Sequence, residues 1–434
     1  MRINRRQFLK GASASAVLGS SHLLAFAARR ASAATADGKA LVLVNLSGGN
    51  DFLNTVVPLD DVGAPQRSTY EAARPNLALP LASFGATEIG TDPGPGTALA
   101  LHPQMTGLAT LFGEGKLAIV NGVGYPDSSL SHFEAEAAWW AGTPTPAGTG
   151  WVGRHLDAAL PLDVTHAVSF GSEVNPTLAA LAADALGIRS IQGFSLPDDP
   201  DYRDLENRRP AWESIFAEPR AAEAMAARIA RSGKSFLDMS EIFSSIEVEG
   251  WGSNLDGVEG TLALDMRQVS SILRYDLAAD PGSRTGLSFF HLATGGFDTH
   301  SQQGRDDPNA WHPSLLRWLS DAMTGFQRDL EALGIADKVA TLVYSEFGRR
   351  IEQSDVGQNA GTDHGTAGCM FVMGDPALLT GGLYGQMPDL SDPDEHGNMK
   401  IQVDFREVYA SVIQWLGGDP NAVVGPFAPL PLFK

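Results

Sequence analysis

The sequence predicts an α/β fold in which helices cover both faces of a mostly parallel sheet. Short apolar, β-branched segments recur along the chain, as expected for strands that are buried on both faces. Amphipathic segments lie between them, and strands that alternate with helices are typical of parallel sheets. About 400 residues suffice for one large domain of this kind or for two smaller ones.

Each predicted element follows from its local pattern. Apolar runs predict buried strands over residues 40–46, 117–120, 167–170, 287–292 and 339–344. Amphipathic periodicity predicts helices over residues 134–140, 311–333 and 405–416. Charged residues and helix formers dominate a stretch that we interpret as a helical insertion, residues 197–285, with helices near 219–231 and 262–277. Pro, Gly and Asp are frequent in two segments that are predicted to be long loops, residues 60–100 and 374–400.

The first 33 residues have the features of a twin-arginine export signal. Arg5 and Arg6 precede Phe-Leu-Lys, an apolar run over 11–27 and the small residues 31–34, which is the order of such signals. A short membrane anchor is the alternative, but the run is shorter than the ~20 apolar residues of a membrane span. We therefore expect residues 34–434 to form the mature domain, carried by the twin-arginine translocase to the periplasm or the medium.

The charge of the mature domain restricts its partners. The chain has net charge −20, and residues 1–33 hold six basic and no acidic residues, so the remainder has net charge −26. This charge argues against nucleic acids and anionic membrane surfaces as partners. No second segment is apolar enough to suggest a membrane span. The single cysteine, Cys369, lies in an apolar run and is predicted to be a buried, inert thiol.

Polar residues that follow predicted strands are the candidates for a site, because ligands of open α/β sheets bind beyond the carboxyl ends of the strands. Asp51 follows the first strand after two glycines. It suits a metal ion, although an Asx turn or helix cap would use the same residue. Ser131 and His132 begin a predicted helix. Its N-terminus favours an anion, and a capping box of Ser131 with Glu134 is the alternative.

Two later segments add more candidates. Asp298 and His300 follow one strand, and Glu346, Arg349 and His364 follow another. Structural hydrogen bonds explain each of these residues taken singly. Together they place three carboxylates and two histidines at several strand ends of one sheet, and this convergence is hard to explain as chance.

Seven motifs in these segments resemble a known family. They are LVLVNLSGGNDFLNTVVP, LHP at 101–103, SHFEA at 131–135, GGFDTH at 295–300, SEFGR at 345–349, GTDHG at 361–365 and DFREVYASVIQWLG at 404–417. This pattern resembles the twin-arginine-exported domain of unknown function 1501 family, grouped with the alkaline phosphatase-like superfamily of phosphatases and sulfatases. The resemblance covers nearly all of the mature chain. It implies a three-layer α/β/α sandwich with a metal site at the strand ends.

The resemblance also implies residue roles. Ser131 matches the nucleophile at a helix N-terminus. His132 or Arg349 would stabilise charge on the transferred group. The matches to the metal ligands are Asp51, Asp298, His300, Glu346 and His364. Where relatives have Asp-His, this chain has Glu346-Phe347, so one histidine ligand is missing and the site would hold one or two ions of unknown identity.

Two functions follow from these roles. The first is an exported metal-dependent hydrolase of phosphate or sulfate esters, acting on small or polymer-linked substrates. The alternative, favoured by the missing histidine, is a non-catalytic cell-envelope protein that keeps the fold and binds a polymer or a partner protein. If a metal site exists, we expect Asp51, Glu346 and His364 to form its tightest group. His132 is the alternative to His300 as a member, because the spacing of Asp298 and His300 is tighter than in relatives.

Overall fold

The structure, a computed structural model, describes residues 38–144, 148–160, 165–195, 205–217, 224–280 and 283–434. The predicted export signal, residues 1–33, lies outside the described residues. Among the residues described, no helix combines the length and the apolar character needed to cross a membrane.

A central sheet of nine strands organises the domain. Its strands are β1 (Ala40–Leu46), β5 (Leu117–Gly124), β6 (Ala167–Phe170), β7 (Ala185–Ile188), β8 (Phe289–Thr294), β9 (Val339–Tyr344), β12 (Gly368–Met373), β13 (Gly382–Tyr384) and β14 (Val403–Asp404). The order across the sheet is β13-β5-β12-β9-β1-β8-β6-β7, and β14 pairs with β5. Only the pairings of β12 are antiparallel. The predicted strands over 40–46, 287–292 and 339–344 therefore share one mostly parallel sheet, as expected.

Two smaller sheets accompany it. One contains β2 (Val56–Pro58), β3 (Glu88–Thr91) and β4 (Ala98–Leu101). The other is an antiparallel pair of β10 (Gly348–Ser354) and β11 (Gly361–Gly365). The first sheet corrects the prediction that residues 60–100 form only a long loop, and the second places His364 on a strand rather than in a loop.

Helices cover both faces of the central sheet. They are α1 (Phe52–Thr55), α2 (Gln66–Ala73), α3 (Thr106–Gly113), α4 (His132–Ala141), α5 (Trp151–Ala159), α6 (Leu205–Ala217), α7 (Ala224–Ser244), α8 (Thr261–Ala278), α9 (Trp311–Ala332), α10 (Phe405–Trp415) and α11 (Pro420–Val423). The predicted helical insertion contains α6, α7 and α8, and its residues 197–204, 218–223 and 281–282 lie outside the described residues.

Alternation along β1 shows the two layers. Val42 and Val44 belong to one buried cluster, to which α3, α8 and α9 contribute. Leu41 and Leu43 belong to a second cluster with α4, α5 and α10. Successive side chains of a strand point to opposite faces of the sheet, so one helical layer lies on each face. The predicted α/β fold, a sheet between two helical layers, is confirmed.

Cys369 lies on β12 and is partly buried. Burial raises the pKa of its thiol above the usual value. The thiol is thereby kept protonated and unreactive, in agreement with the predicted inert role.

Candidate metal centre at the carboxyl ends of three strands

Three neighbouring parallel strands deliver the polar segments to one edge of the sheet. β1 pairs with β8 on one side and with β9 on the other, and Asn45 is level with Ala293 and Tyr344. The chain segments that follow these three strands therefore meet. Gly48 allows their close approach, because it has φ +120° and a Cβ there would lie 2.4 Å from the backbone nitrogen of Asp298.

The tightest cluster of possible metal ligands in the described residues consists of His132, Asp298 and His364, whose ligand atoms lie within 4.8 Å of one another. His364 Nε2 is 3.1 Å from Asp298 Oδ1, and His132 Nε2 is 3.6 Å from Asp298 Oδ2. His300 joins the cluster, with Nε2 3.1 Å from Asp298 Oδ1. We call these four residues the histidine–aspartate cluster. His132 is more than 160 positions from the other three members in the sequence.

Each histidine is held by its second ring nitrogen. His132 Nδ1 is 2.8 Å from Glu346 Oε1, and His300 Nδ1 is 3.0 Å from Asp363 Oδ1. His364 Nδ1 is 2.8 Å from the Leu130 carbonyl oxygen. Carboxylates and carbonyls accept hydrogen bonds, so each Nδ1 carries the proton and each Nε2 presents a lone pair. Histidines that bind metals show this arrangement, in which the outer partner fixes the tautomer and the ring orientation.

One contact in the cluster requires a cation. His300 Nε2 and His364 Nε2 are 2.9 Å apart, and in the tautomers fixed above both atoms are acceptors. Two lone pairs at this separation repel each other unless a proton or a metal ion lies between them. Three imidazoles and one carboxylate are the ligands of Zn²⁺ and similar first-row ions, whereas Mg²⁺ and Ca²⁺ prefer oxygen ligands. The donor set therefore fits a divalent transition metal ion.

The surroundings keep Asp298 ionised. Burial would favour its neutral form, but the hydrogen bond from Arg349, at 2.7 Å, and the charge of that guanidinium lower the pKa of Asp298 to about 2. Burial also lowers the pKa of His364, which favours the neutral imidazole that a metal ion needs. The side chains of Asp298 and His300 remain 47% and 46% exposed, so the cluster is open to a ligand from solvent.

Glu346 is a buried residue that contacts the cluster through His132. It is 1% exposed, and its carboxylate accepts hydrogen bonds from Gly48 N at 2.7 Å, from His132 Nδ1 and from Ser345 Oγ. Glu346 was predicted as a metal ligand, but here its oxygens are engaged in orienting His132 and the loop after β1.

Exchanging Glu346 for glutamine tests this supporting role. The amide keeps the shape but removes the charge that makes His132 a stronger ligand, so we expect Glu346→Gln to weaken zinc binding about 10-fold, the lower end of outer-partner effects. Titration calorimetry with Zn²⁺ measures it. Glu352→Gln, an exposed glutamate of β10, is the control and should bind as the unchanged protein does. Equal affinity in both variants would show that His132 needs no help from Glu346.

Asp51 lies in a separate buried network. Its Oδ2 accepts from Arg74 Nη1 at 2.6 Å and from Gln303 Nε2 at 2.5 Å, and the residue has no exposed surface. Burial alone would raise its pKa, but the charge and hydrogen bond of Arg74 lower the pKa of Asp51 below the usual value. The group expected to be tightest, Asp51 with Glu346 and His364, is thus not the one that forms, because a guanidinium already neutralises Asp51.

Arg349 is buried, and each of its three guanidinium nitrogens donates at least one hydrogen bond. Its guanidinium donates to the carbonyls of Gly48, Gly49, Phe297 and Thr362 and to Asp298. It ties the three strand-end segments together. Its predicted role was to stabilise charge on a transferred group, but each of its three guanidinium nitrogens already donates to one of these acceptors.

Ser131 is the N-cap of α4 and is exposed. The alternative capping box does not form, since its side chain makes no cap hydrogen bond. Ser129 Oγ instead donates to Glu134 Oε2 at 2.6 Å and accepts from Ser131 N at 3.1 Å. The Ser131 hydroxyl is therefore not used as a cap, and it precedes a member of the cluster, His132.

His132 was predicted to be catalytic or to replace His300 as a ligand, and its Nε2 belongs to the cluster. Sequence reasoning missed two other features of this region. Asp363 was seen only as part of a motif, although its position next to His364 was a usable signal. Nothing local in the sequence connects Arg74 with Asp51, since a charge on a distant helix carries no such signal.

A family model described as "Protein of unknown function (DUF1501)" matches residues 38–431. The chain belongs to this family. The match confirms the family that the sequence motifs predicted. No match was found among curated proteins.

Solved structures that are similar to this DUF1501 protein have about one residue in ten in common with it. A protein in the alkaline phosphatase superfamily from Vibrio parahaemolyticus has 10% identity and a TM-score of 0.38, over 89% of this chain and 68% of that chain. The PsFucS1 sulfatase from Pseudoalteromonas sp. has 10% identity and a TM-score of 0.37, over 94% and 74%. The C-terminal periplasmic domain of EcEptC from Escherichia coli, in complex with Zn, has 10% identity and a TM-score of 0.37, over 89% and 86%.

Proposed function

We propose that this protein is an exported metal-dependent hydrolase of phosphate or sulfate esters. The observation that carries the proposal is the convergence of the Nε2 atoms of His132, His300 and His364 on Asp298, with each Nδ1 held by an acceptor. The predicted twin-arginine signal, residues 1–33, adds export to the periplasm or the medium.

Each residue of the site has a separate role in the proposed hydrolase. The four members of the cluster would hold the metal ion, and Glu346 and Asp363 orient two of its histidines. Such an ion supplies Lewis-acid activation when bound. Ser131 lies at the N-terminus of α4, where free N–H groups and the helix dipole favour a negatively charged ester group.

Ser131 is the proposed nucleophile. Its oxygen forms a bond to phosphorus or sulfur in line with the ester oxygen, which leaves with the electrons of the broken bond and is protonated to the alcohol. Water then cleaves the serine ester, which restores the hydroxyl and releases phosphate or sulfate.

The test uses the mature protein purified after native export. We expect it to contain one divalent transition metal ion and to hydrolyse p-nitrophenyl phosphate or sulfate, with turnover lost on chelation and restored by Zn²⁺. Ser131→Ala should keep the metal but lose turnover by orders of magnitude, as nucleophile variants do. Ser391→Ala, at an exposed serine, is the control. Full turnover of Ser131→Ala would exclude this serine as nucleophile, and absence of bound metal would exclude the hydrolase.

The hydrogen bonds of Arg349 favour a second function, that of a non-catalytic envelope protein. Each of the three guanidinium nitrogens of Arg349 donates to a carbonyl or to Asp298, so the side chain is held in the protein rather than turned toward the oxygens of an ester. A non-catalytic envelope protein with a structural metal ion would need no such group. Bound metal together with no hydrolysis of any ester tested would support this alternative.

A further inference from the structure

A groove lies beside the histidine–aspartate cluster, on the other side of the start of α4. It has a volume of about 640 Å³, and its lining includes Tyr125, Asp127, Phe133, Glu134 and Arg406. Ligand pockets commonly have volumes of about 300–1,000 Å³. The groove therefore has room for a small organic group.

Covalent and hydrogen-bonded links join the groove to the proposed site. Phe133 of the groove follows His132 of the cluster on α4. Ser129, which also lines the groove, bonds both Glu134 and the backbone of Ser131. Leu130, between them, holds His364 through its carbonyl. The groove is therefore next to the chain segment that carries Ser131.

Phe133 is the most exposed large apolar side chain in the described residues, at 86%. The ring is therefore not part of the packed core and is free to contact a ligand. An exposed ring presents a negatively polarised face, which attracts cations, above all weakly hydrated ones.

The charged groups of the groove point to the same ligand. Asp127 and Glu134 are acidic, and the Asp127 carboxylate has no partner among the described residues. The one cation, Arg406, is neutralised, since its Nε and Nη2 contact the two oxygens of Asp404 at 2.7 and 2.5 Å. Its guanidinium also lies 4.0 Å from the Phe427 ring centre. The groove thus has a negative charge, in a mature chain that is itself strongly acidic.

We propose that this groove binds a quaternary ammonium group, which would make the substrate an ester of a cationic amino alcohol. This identification of the substrate rests on the proposed hydrolase function. The binding of the cation rests only on Phe133, Asp127 and Glu134. A neutral apolar ligand would gain nothing from the two carboxylates, and an anionic one would be repelled by them.

Calorimetric titration of the mature, metal-loaded protein with choline chloride tests the proposal. We expect measurable binding that weakens with added salt and at least about 10-fold weaker binding of the uncharged analogue with carbon in place of nitrogen. Phe133→Leu should weaken choline binding about 2- to 30-fold, while Phe133→Trp should retain it, because tryptophan is the best partner for cations. Asp127→Asn combined with Glu134→Gln should weaken it by a similar factor.

The controls separate this proposal from the hydrolase. Glu395→Gln, at a glutamate with an 87% exposed side chain, should leave choline binding unchanged. Metal content is measured in every variant and should stay at that of the unchanged protein, since none of these residues belongs to the cluster. Equal binding of the uncharged analogue, or no binding of choline at all, would overturn the groove assignment. Choline binding in a protein without bound metal would refute the hydrolase and leave the groove intact.

Discussion

Replacing His364 by alanine should abolish tight metal binding. Its Nε2 approaches both Asp298 and His300, so the substitution removes a ligand from the centre of the cluster. Loss of an outer partner costs about 10- to 100-fold in metal affinity, and loss of a ligand should cost more. Zinc titration calorimetry and the metal content after dialysis measure the effect.

A distant histidine provides the matched control for this variant. His396 has a 69% exposed side chain and contacts only the neighbouring Glu395, so His396→Ala should bind zinc as the unchanged protein does. Both variants should unfold at about the same temperature when a chelator is present, because the hydrogen bond of His364 outside the cluster is a single contact with the Leu130 carbonyl. Unchanged zinc affinity in His364→Ala would refute the metal centre.

Replacing Arg74 by methionine should destabilise the fold strongly without emptying the metal centre. Arg74 and Asp51 form an ion pair in which neither side chain is exposed. Arg74 also donates to the carbonyls of Arg350 and Ile351. Removing one partner of a buried pair costs about 3–5 kcal/mol, since the other charge is left uncompensated. Denaturant unfolding followed by circular dichroism measures the loss in the free energy of unfolding.

A second substitution separates charge from packing. Asp51→Asn added to Arg74→Met should recover part of the loss, because it removes the unpaired carboxylate. Zinc affinity should remain unchanged in both variants. A fall in zinc affinity in Asp51→Asn as large as in His364→Ala would show that Asp51 is a metal ligand, as the family resemblance implies.

The buried ion pair of Asp51 and Arg74 should make the free energy of unfolding depend on pH. The pKa of Asp51 is lower in the folded protein than its usual value. The stabilisation from its ionised form is therefore fully present above the unfolded pKa, about 3.9, and is lost as the pH falls through the folded value. Unfolding curves recorded between neutral and strongly acidic pH should show this loss in the unchanged protein and a smaller one in Asp51→Asn.

The sequence by itself determined the fold class and the edge of the sheet at which the polar residues gather. Buried strands such as β1 and β9 have unbroken apolar runs, and this local signal placed both with the bounds that the structure has. The strand predicted over 287–292 begins two residues later, at Phe289. Parallel strands of one sheet end at the same edge, so the segments that carry Asp298 and Glu346 were expected at that edge.

Only the tertiary structure decided which polar residues meet. Glu346 accepts from His132 over a separation of 214 positions, and Arg74 neutralises Asp51 from a helix that was predicted to be a loop. The hairpin of β10 and β11 carries His364 back to His300. Local periodicity reports which face of an element is buried, but it holds no information about the partner across the interface. Long-range packing therefore decided that Asp51 pairs with Arg74 and that Asp298 lies among three histidines.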